Sequence, residues 1–168
     1  PYAMHNEVFK APRYEQDAVN VYSVARSTGI TYTPLAGATS VTSWRNGVDI
    51  DDNLSNNQPI GFSFIYNGVR TDSFRVSTSG FVTFNTTSSA VGSGTGAYGY
   101  SNAVFSAAGG TTNTLAPMYE DLQVVSLATS IVYQTSGSVG NRVLTIEFIG
   151  MDVSFDTSPD LNFQVKCY

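Results

Sequence analysis

An antiparallel β-sandwich of jelly-roll-like type is the fold class that this sequence predicts, and three observations carry the prediction. Residues 58–85 place Ile60, Phe62, Phe64 and Tyr66 on alternate positions, and the alternation resumes at Phe74 and Val76 and again at Val82 and Phe84. Such a period is what an extended chain with one buried face requires. Asn67-Gly68 and Ser79-Gly80 punctuate these runs, and similar turn signals separate the short apolar runs downstream. No amphipathic helix of useful length is visible, so short strands joined by turns leave a sandwich or a barrel.

In chain order, residues 1–28 mix charges and aromatics, among them His5, Glu7, Lys10 and Tyr14, and are assigned to an N-terminal extension or linker strand; Val19 to Ala25 has strand character. Residues 29–168 form the β domain. Ile30 to Leu35 and Thr39 to Ser43 read as two extended segments split by Pro34 and Gly37, and Trp44-Arg45-Asn46-Gly47 as a turn. An acidic loop follows with Asp49, Asp51, Asp52 and Asn53, and then the hairpins of residues 58–85.

Residues 86–114 are a Gly, Ser, Thr and Ala tract holding Tyr98 and Tyr100, long enough to be a functional loop. Beyond it, Ile131 to Thr135, Arg142 to Phe148 and Leu161 to Tyr168 read as strands, with turns near Ser136-Gly137-Ser138 and Ser158-Pro159-Asp160. Leu144, Ile146, Phe148, Phe163 and Val165 are the expected inner face opposite Ile60, Phe62, Phe64, Val76, Val82 and Phe84. Cys167 alternates with Val165 and is expected to be a buried, inert thiol.

Composition narrows the function. With 168 residues, 42% of them hydrophobic, the chain fits one folded domain. Only 12% of the residues are charged, about half the usual share, so the surface is polar through hydroxyls and amides, as in extracellular β domains. A formal charge of −5 with eight scattered Lys and Arg offers no basic patch for nucleic acid. No apolar run approaches the roughly 20 residues needed for a membrane span. The single histidine, His5, lies in the extension, so Ser/His/Asp and Cys/His nucleophiles have no base within the β domain, and no enzyme activity is expected.

The order of the motifs resembles a known family. Ile50-Asp51-Asp52, Pro59-Ile60-Gly61-Phe62-Ser63-Phe64, Tyr66-Asn67-Gly68, Val76-Ser77-Thr78-Ser79-Gly80-Phe81, Leu115-Ala116-Pro117, Glu120-Asp121-Leu122, Val132-Tyr133-Gln134-Thr135, Asn141-Arg142-Val143-Leu144 and Leu161-Asn162-Phe163-Gln164-Val165 follow one another. This resembles the β-sandwich module near the start of many secreted and cell-surface proteins of Bacteroidetes, commonly exported by the type IX system, and more distantly the nidogen-like extracellular domain. The resemblance covers about residues 30–168. It implies a non-enzymatic structural or adhesive module, extracellular or at the cell surface, whose partners are other chains or domains of the same assembly. Two departures stand out. Met118-Tyr119-Glu120 stands where the family's Pro-Phe-Trp-Asp-Asp-Leu segment has Phe-Trp-Asp, and the chain stops at Cys167-Tyr168, where the family continues into a further strand, which implies a sandwich that lacks or borrows its C-terminal strand.

Three constellations remain as candidates. Asp49, Asp51, Asp52 and Asn53 have the oxygen density that calcium takes, without the fixed spacing of an EF-hand; a solvated acidic turn is the plain alternative. Tyr98, Tyr100, Trp44 and Tyr119 offer rings that stack on sugars, which makes a calcium-assisted carbohydrate-binding module, with glycans as partners, the alternative function. Glu120 with Asp121, or Glu147 with Asp152, are the carboxylate pairs that glycoside hydrolysis would need; solvated acids at strand ends are the competing reading.

Overall fold

Two antiparallel sheets pack face to face and share one apolar core, as the alternation predicts. The computed structural model describes residues 25–86, 113–118, 120–153 and 161–168. Among them are nine strands: β1 (Thr39–Ser40), β2 (Gln58–Tyr66), β3 (Val69–Val76), β4 (Val82–Thr83), β5 (Thr114–Leu115), β6 (Leu122–Val124), β7 (Ile131–Ser136), β8 (Val143–Val153) and β9 (Leu161–Cys167). One sheet runs β2-β3-β4-β5. In the other, β8 pairs with β7 and β6 and also with β9, and β1 pairs with β7.

The alternating residues of 58–85 do what their spacing requires. Ile60, Phe64, Phe74, Val76, Val82 and Phe84 are buried against Leu144, Ile146, Phe148 and Val165, with Phe62, Tyr66 and Phe163 half-buried at the margin of the same cluster. Phe163 stacks on Phe148 at 4.5 Å with planes 12° apart, which holds β9 onto β8. The turn after β2 has positive φ at both Asn67 (50°) and Gly68 (74°), the mirror-image geometry that suits the twist of a tight hairpin.

A simple alternation would not produce the break in the β2 and β3 register between Pro59 and Phe64. There β2 swings toward the other sheet. The Ile60 carbonyl accepts from Thr135 Oγ1, and the Gly61 carbonyl accepts from the Arg142 guanidinium at 2.8 Å, so both orphaned acceptors are satisfied by the β7-β8 hairpin. The bulge is therefore a polar clasp between the sheets.

The expected strand over residues 30–35 is not formed. This segment has no strand pairing and lies across the outer face of the β7-β8-β9 sheet, where side chains rather than a ladder hold it. Pro34 lacks an amide proton and so cannot donate to a ladder, and Gln134, Glu147 and Gln164 engage the segment across the face of the sheet instead. Residues 19–24 of the expected N-terminal strand and the turn at 158–160 lie outside the described residues. Among the described residues β9 pairs only with β8.

Gly80 tests the turn between β3 and β4. Its φ is +80°, and a Cβ there would come within 2.0 Å of the Met118 carbonyl oxygen, a backbone atom that cannot rotate away. Gly80→Ala should cost at least about 2 kcal/mol, from left-handed strain together with the clash. Urea denaturation reads this directly, and a midpoint within error of the parent would contradict the packing described.

Candidate functional site

The acidic loop is a built structure rather than a loose run of charges. Asn53 is fully buried and braces it from within: its Oδ1 accepts from the Asn46 amide at 3.0 Å, its Nδ2 donates to the Asp49 carbonyl at 2.7 Å, and its own amide donates to Thr78 Oγ1 at 2.9 Å. Thr78 returns the bond through its amide to the Asn53 carbonyl at 3.0 Å. Asn53 is thus a strut, and its amide oxygen is committed to the loop rather than offered to a metal. Asp49 is also engaged: Oδ1 accepts from the Asp51 amide at 3.1 Å and Oδ2 from Asn46 Nδ2 at 2.8 Å.

Asp51 and Asp52 differ from these two. Oδ1 of each is buried and has no hydrogen-bond partner among the described residues. Burial, then repulsion from Asp52, Asp121 and Asp49, holds the Asp51 carboxyl above its ordinary range; burial, then Asp121 and Asp49, does the same for Asp52. Asp121 joins the group because the Val124 amide donates to the Ile50 carbonyl at 2.9 Å, which draws the short strand β6, and Asp121 just before it, against the loop. The sequence places Asp121 about seventy residues away, and only the fold brings it in. Among the described residues, no three His, Cys, Asp or Glu side chains converge closely enough to hold a metal ion by themselves.

The remaining sequence candidates fall out separately. Trp44 is half-buried against the core, and its indole N–H is shared between the Val41 and Leu127 carbonyls, both at 3.2 Å, so the ring serves packing. Tyr98, Tyr100 and Tyr119 lie outside the described residues. Glu147 and Asp152 stand five residues apart on β8, roughly 16 Å along a strand, beyond the roughly 5 to 9.5 Å between the carboxyls of a glycosidase. Glu120 and Asp121 precede β6 rather than sitting within a strand. Cys167 is buried, and burial pushes its thiol up to about 11, which keeps it protonated and unreactive.

Sequence reasoning missed the role of Glu147. On an alternating strand it reads as a solvent-facing acid, yet it is fully buried on the outer face of the sheet, beneath residues 30–36. Its Oε1 accepts from the Tyr32 hydroxyl at 2.6 Å and from Gln164 Nε2 at 2.8 Å, and its Oε2 accepts from the Leu35 amide at 3.0 Å. Gln164 lies directly opposite Glu147 in the ladder and also donates to the Thr33 carbonyl at 2.8 Å; Gln134 on β7 donates to the Ala36 carbonyl at 3.3 Å. A segment with no backbone ladder of its own is thereby strapped down by three side chains. Loss of water around the hydroxyl, then the bond to Glu147, pushes the Tyr32 phenol up to about 12.

Fold and surface together define an all-β sandwich domain without a membrane-crossing helix among its described residues. A family described as NIDO related matches residues 21–168, so most of the chain, including both sheets, falls within it. The chain belongs to this nidogen-related family, which marks it as a domain of extracellular type. No curated protein and no solved structure matches the chain.

Two pH effects follow from these carboxylates and from the phenol. Tyr32 has a raised folded pKa, so the stability it contributes is intact below its ordinary value of 10.0 and is lost as pH rises toward about 12. Tyr32→Phe should flatten the fall in melting temperature across that window, and a slope equal to the parent's would refute the link. Asp51 and Asp52 are raised as well, so their ionised forms burden the fold at neutral pH and the burden lifts as pH falls toward 3.8. Asp51→Asn, measured in chelator, should stabilise by about 0.5 kcal/mol at pH 7, the scale of one partly screened charge interaction, and by nothing at pH 3.5. Equal effects at both values would show that repulsion is not the cause.

Proposed function

We propose that this chain is a non-enzymatic structural or adhesive module of a bacterial surface or secreted protein, working beside other chains or domains of the same assembly. The observation that carries the reading is the NIDO-related match across both sheets. The low charge of the chain supports it, because a surface polar through hydroxyls and amides changes little with salt or pH outside a cell. The motif order from Pro59 to Val165 supports the narrower setting, export by a type IX route in Bacteroidetes. Protease shaving of intact cells that carry an epitope-tagged parent protein tests the reading: the tag should be digested without lysis. A tag protected until lysis would overturn it.

Calcium at residues 49–53 is a second reading, favoured by one observation, the two buried and unpartnered oxygens of Asp51 and Asp52. Calcium takes hard oxygen donors in sets of six to eight, so backbone carbonyls and water would complete what two carboxylates begin. The ion would also cancel the repulsion that burdens Asp51 and Asp52. Calcium should then stabilise the fold by about 2.7 kcal/mol when free ion is a hundredfold above its dissociation constant, and Asp51→Asn should abolish that gain. Identical melting curves in calcium and in chelator would dispose of the site.

A further inference from the structure

The strap over residues 30–36 is held in an unusual way for a piece of a β domain. Among the described residues it makes no backbone-to-backbone bond to either sheet. Gln134, Glu147 and Gln164 do the holding, one each from β7, β8 and β9. Three of their four bonds to the strap engage its main chain, at the Thr33 carbonyl, the Leu35 amide and the Ala36 carbonyl. The Tyr32 hydroxyl is the one strap side-chain group among these four contacts. A set of this kind can read an extended peptide: Gln164 lies opposite Glu147 across the β8-β9 ladder and Gln134 lies diagonally, two residues along β7, so two amide donors stand on either side of a carboxylate acceptor.

The connection to the rest of the fold is equally specific. Gly37 stands between the strap and β1 with φ +69°, and Gly29 stands before the strap with φ +74°. A Cβ at either position would meet no atom within 4 Å, so what glycine supplies there is the left-handed backbone alone. The strap is thus an extended segment joined to β1 through a left-handed glycine. Glu147 lies on the outer face of the sheet, so a carboxylate uncovered by the strap would be rehydrated by water instead of being stranded in the core.

We propose that the Gln134, Glu147 and Gln164 row is a peptide-binding surface that also accepts residues 30–36 of a second copy of this chain, so that two copies exchange straps. The second copy is the fitting occupant because its strap has the sequence already seated on the row. Each bond broken in one chain is remade between chains, and among the described residues the change of path between the strap and β1 falls at Gly37. Exchange of identical elements in this way is a low-cost route to a symmetric dimer. The inference goes beyond the surface-module reading and stands without it.

Gly37→Pro in the full chain tests the exchange, because proline holds φ near −65° and cannot make the turn that returns the strap to its own sheet. By size-exclusion chromatography with light scattering, this variant should form dimers at concentrations where the parent is monomeric, and adding Glu147→Ala should abolish them. A folded, monomeric Gly37→Pro, or a dimer indifferent to Glu147→Ala, overturns the proposal. Should Gly37→Pro fail to fold, a labelled peptide reproducing residues 30–36 is titrated onto the full chain carrying Leu35→Pro, which removes the strap's own amide donor. Binding that weakens about tenfold or more with Glu147→Ala, the scale of a lost charge-assisted bond, supports the proposal; no binding to the folded Leu35→Pro chain sinks it.

Discussion

β8 is covered on both faces, and much of the domain follows from that. Its inner face needs Leu144, Ile146 and Phe148 to meet the β2-β3 sheet, which the alternation supplies. Its outer face puts the Glu147 carboxylate out of water, and a buried carboxylate is tolerable only with donors around it. Gln164 supplies one donor from the sheet, and the strap supplies two more, the Tyr32 hydroxyl and the Leu35 amide. The course of the chain between residues 30 and 36 is thus dictated by an acid more than a hundred residues downstream.

The acidic loop handles its charges in the opposite way. Asn53, Thr78 and Asn46 brace the loop's backbone and the Asp49 carboxylate, while Asp51 and Asp52 each keep an oxygen that no described residue donates to. At Glu147 the protein satisfies a carboxylate and gains a fixed segment. At Asp51 and Asp52 it holds like charges together at a cost to the fold, and such costs tend to persist where the groups have a task.

Reading the sequence recovered whatever one-sided burial writes into it. Ile60, Phe64, Phe74, Val76, Leu144 and Ile146 could be placed because each strand has one buried face, and a period of two is then unambiguous. Asn67-Gly68 could be placed because only a few residues tolerate positive φ. The strap could not: Ile30, Thr31, Tyr32 and Thr33 are good strand formers, and nothing nearby announces that a carboxylate on β8 awaits Tyr32. The acidic loop was half legible. Its density of Asp was plain, but Asn53 as a strut and Asp121 as a fourth charge depend on contacts with Thr78 and β6 that local sequence does not encode. The β2 bulge was hidden for the same reason, since Thr135 and Arg142 complete it from another hairpin.

The short β4 and β5 strands have a consequence for how such a domain diversifies. Thr83 pairs with Thr114 and Val82 with Leu115, so the two ends of the intervening thirty-residue stretch are clamped side by side at the sheet. Once the ends are fixed, doubling the chain between them costs only about 0.6 kcal/mol in closure entropy. Selection can then lengthen, shorten or rewrite that stretch with little penalty to the sandwich beneath. A scaffold of this kind can take on new sequence between two fixed points while its folding stays the same.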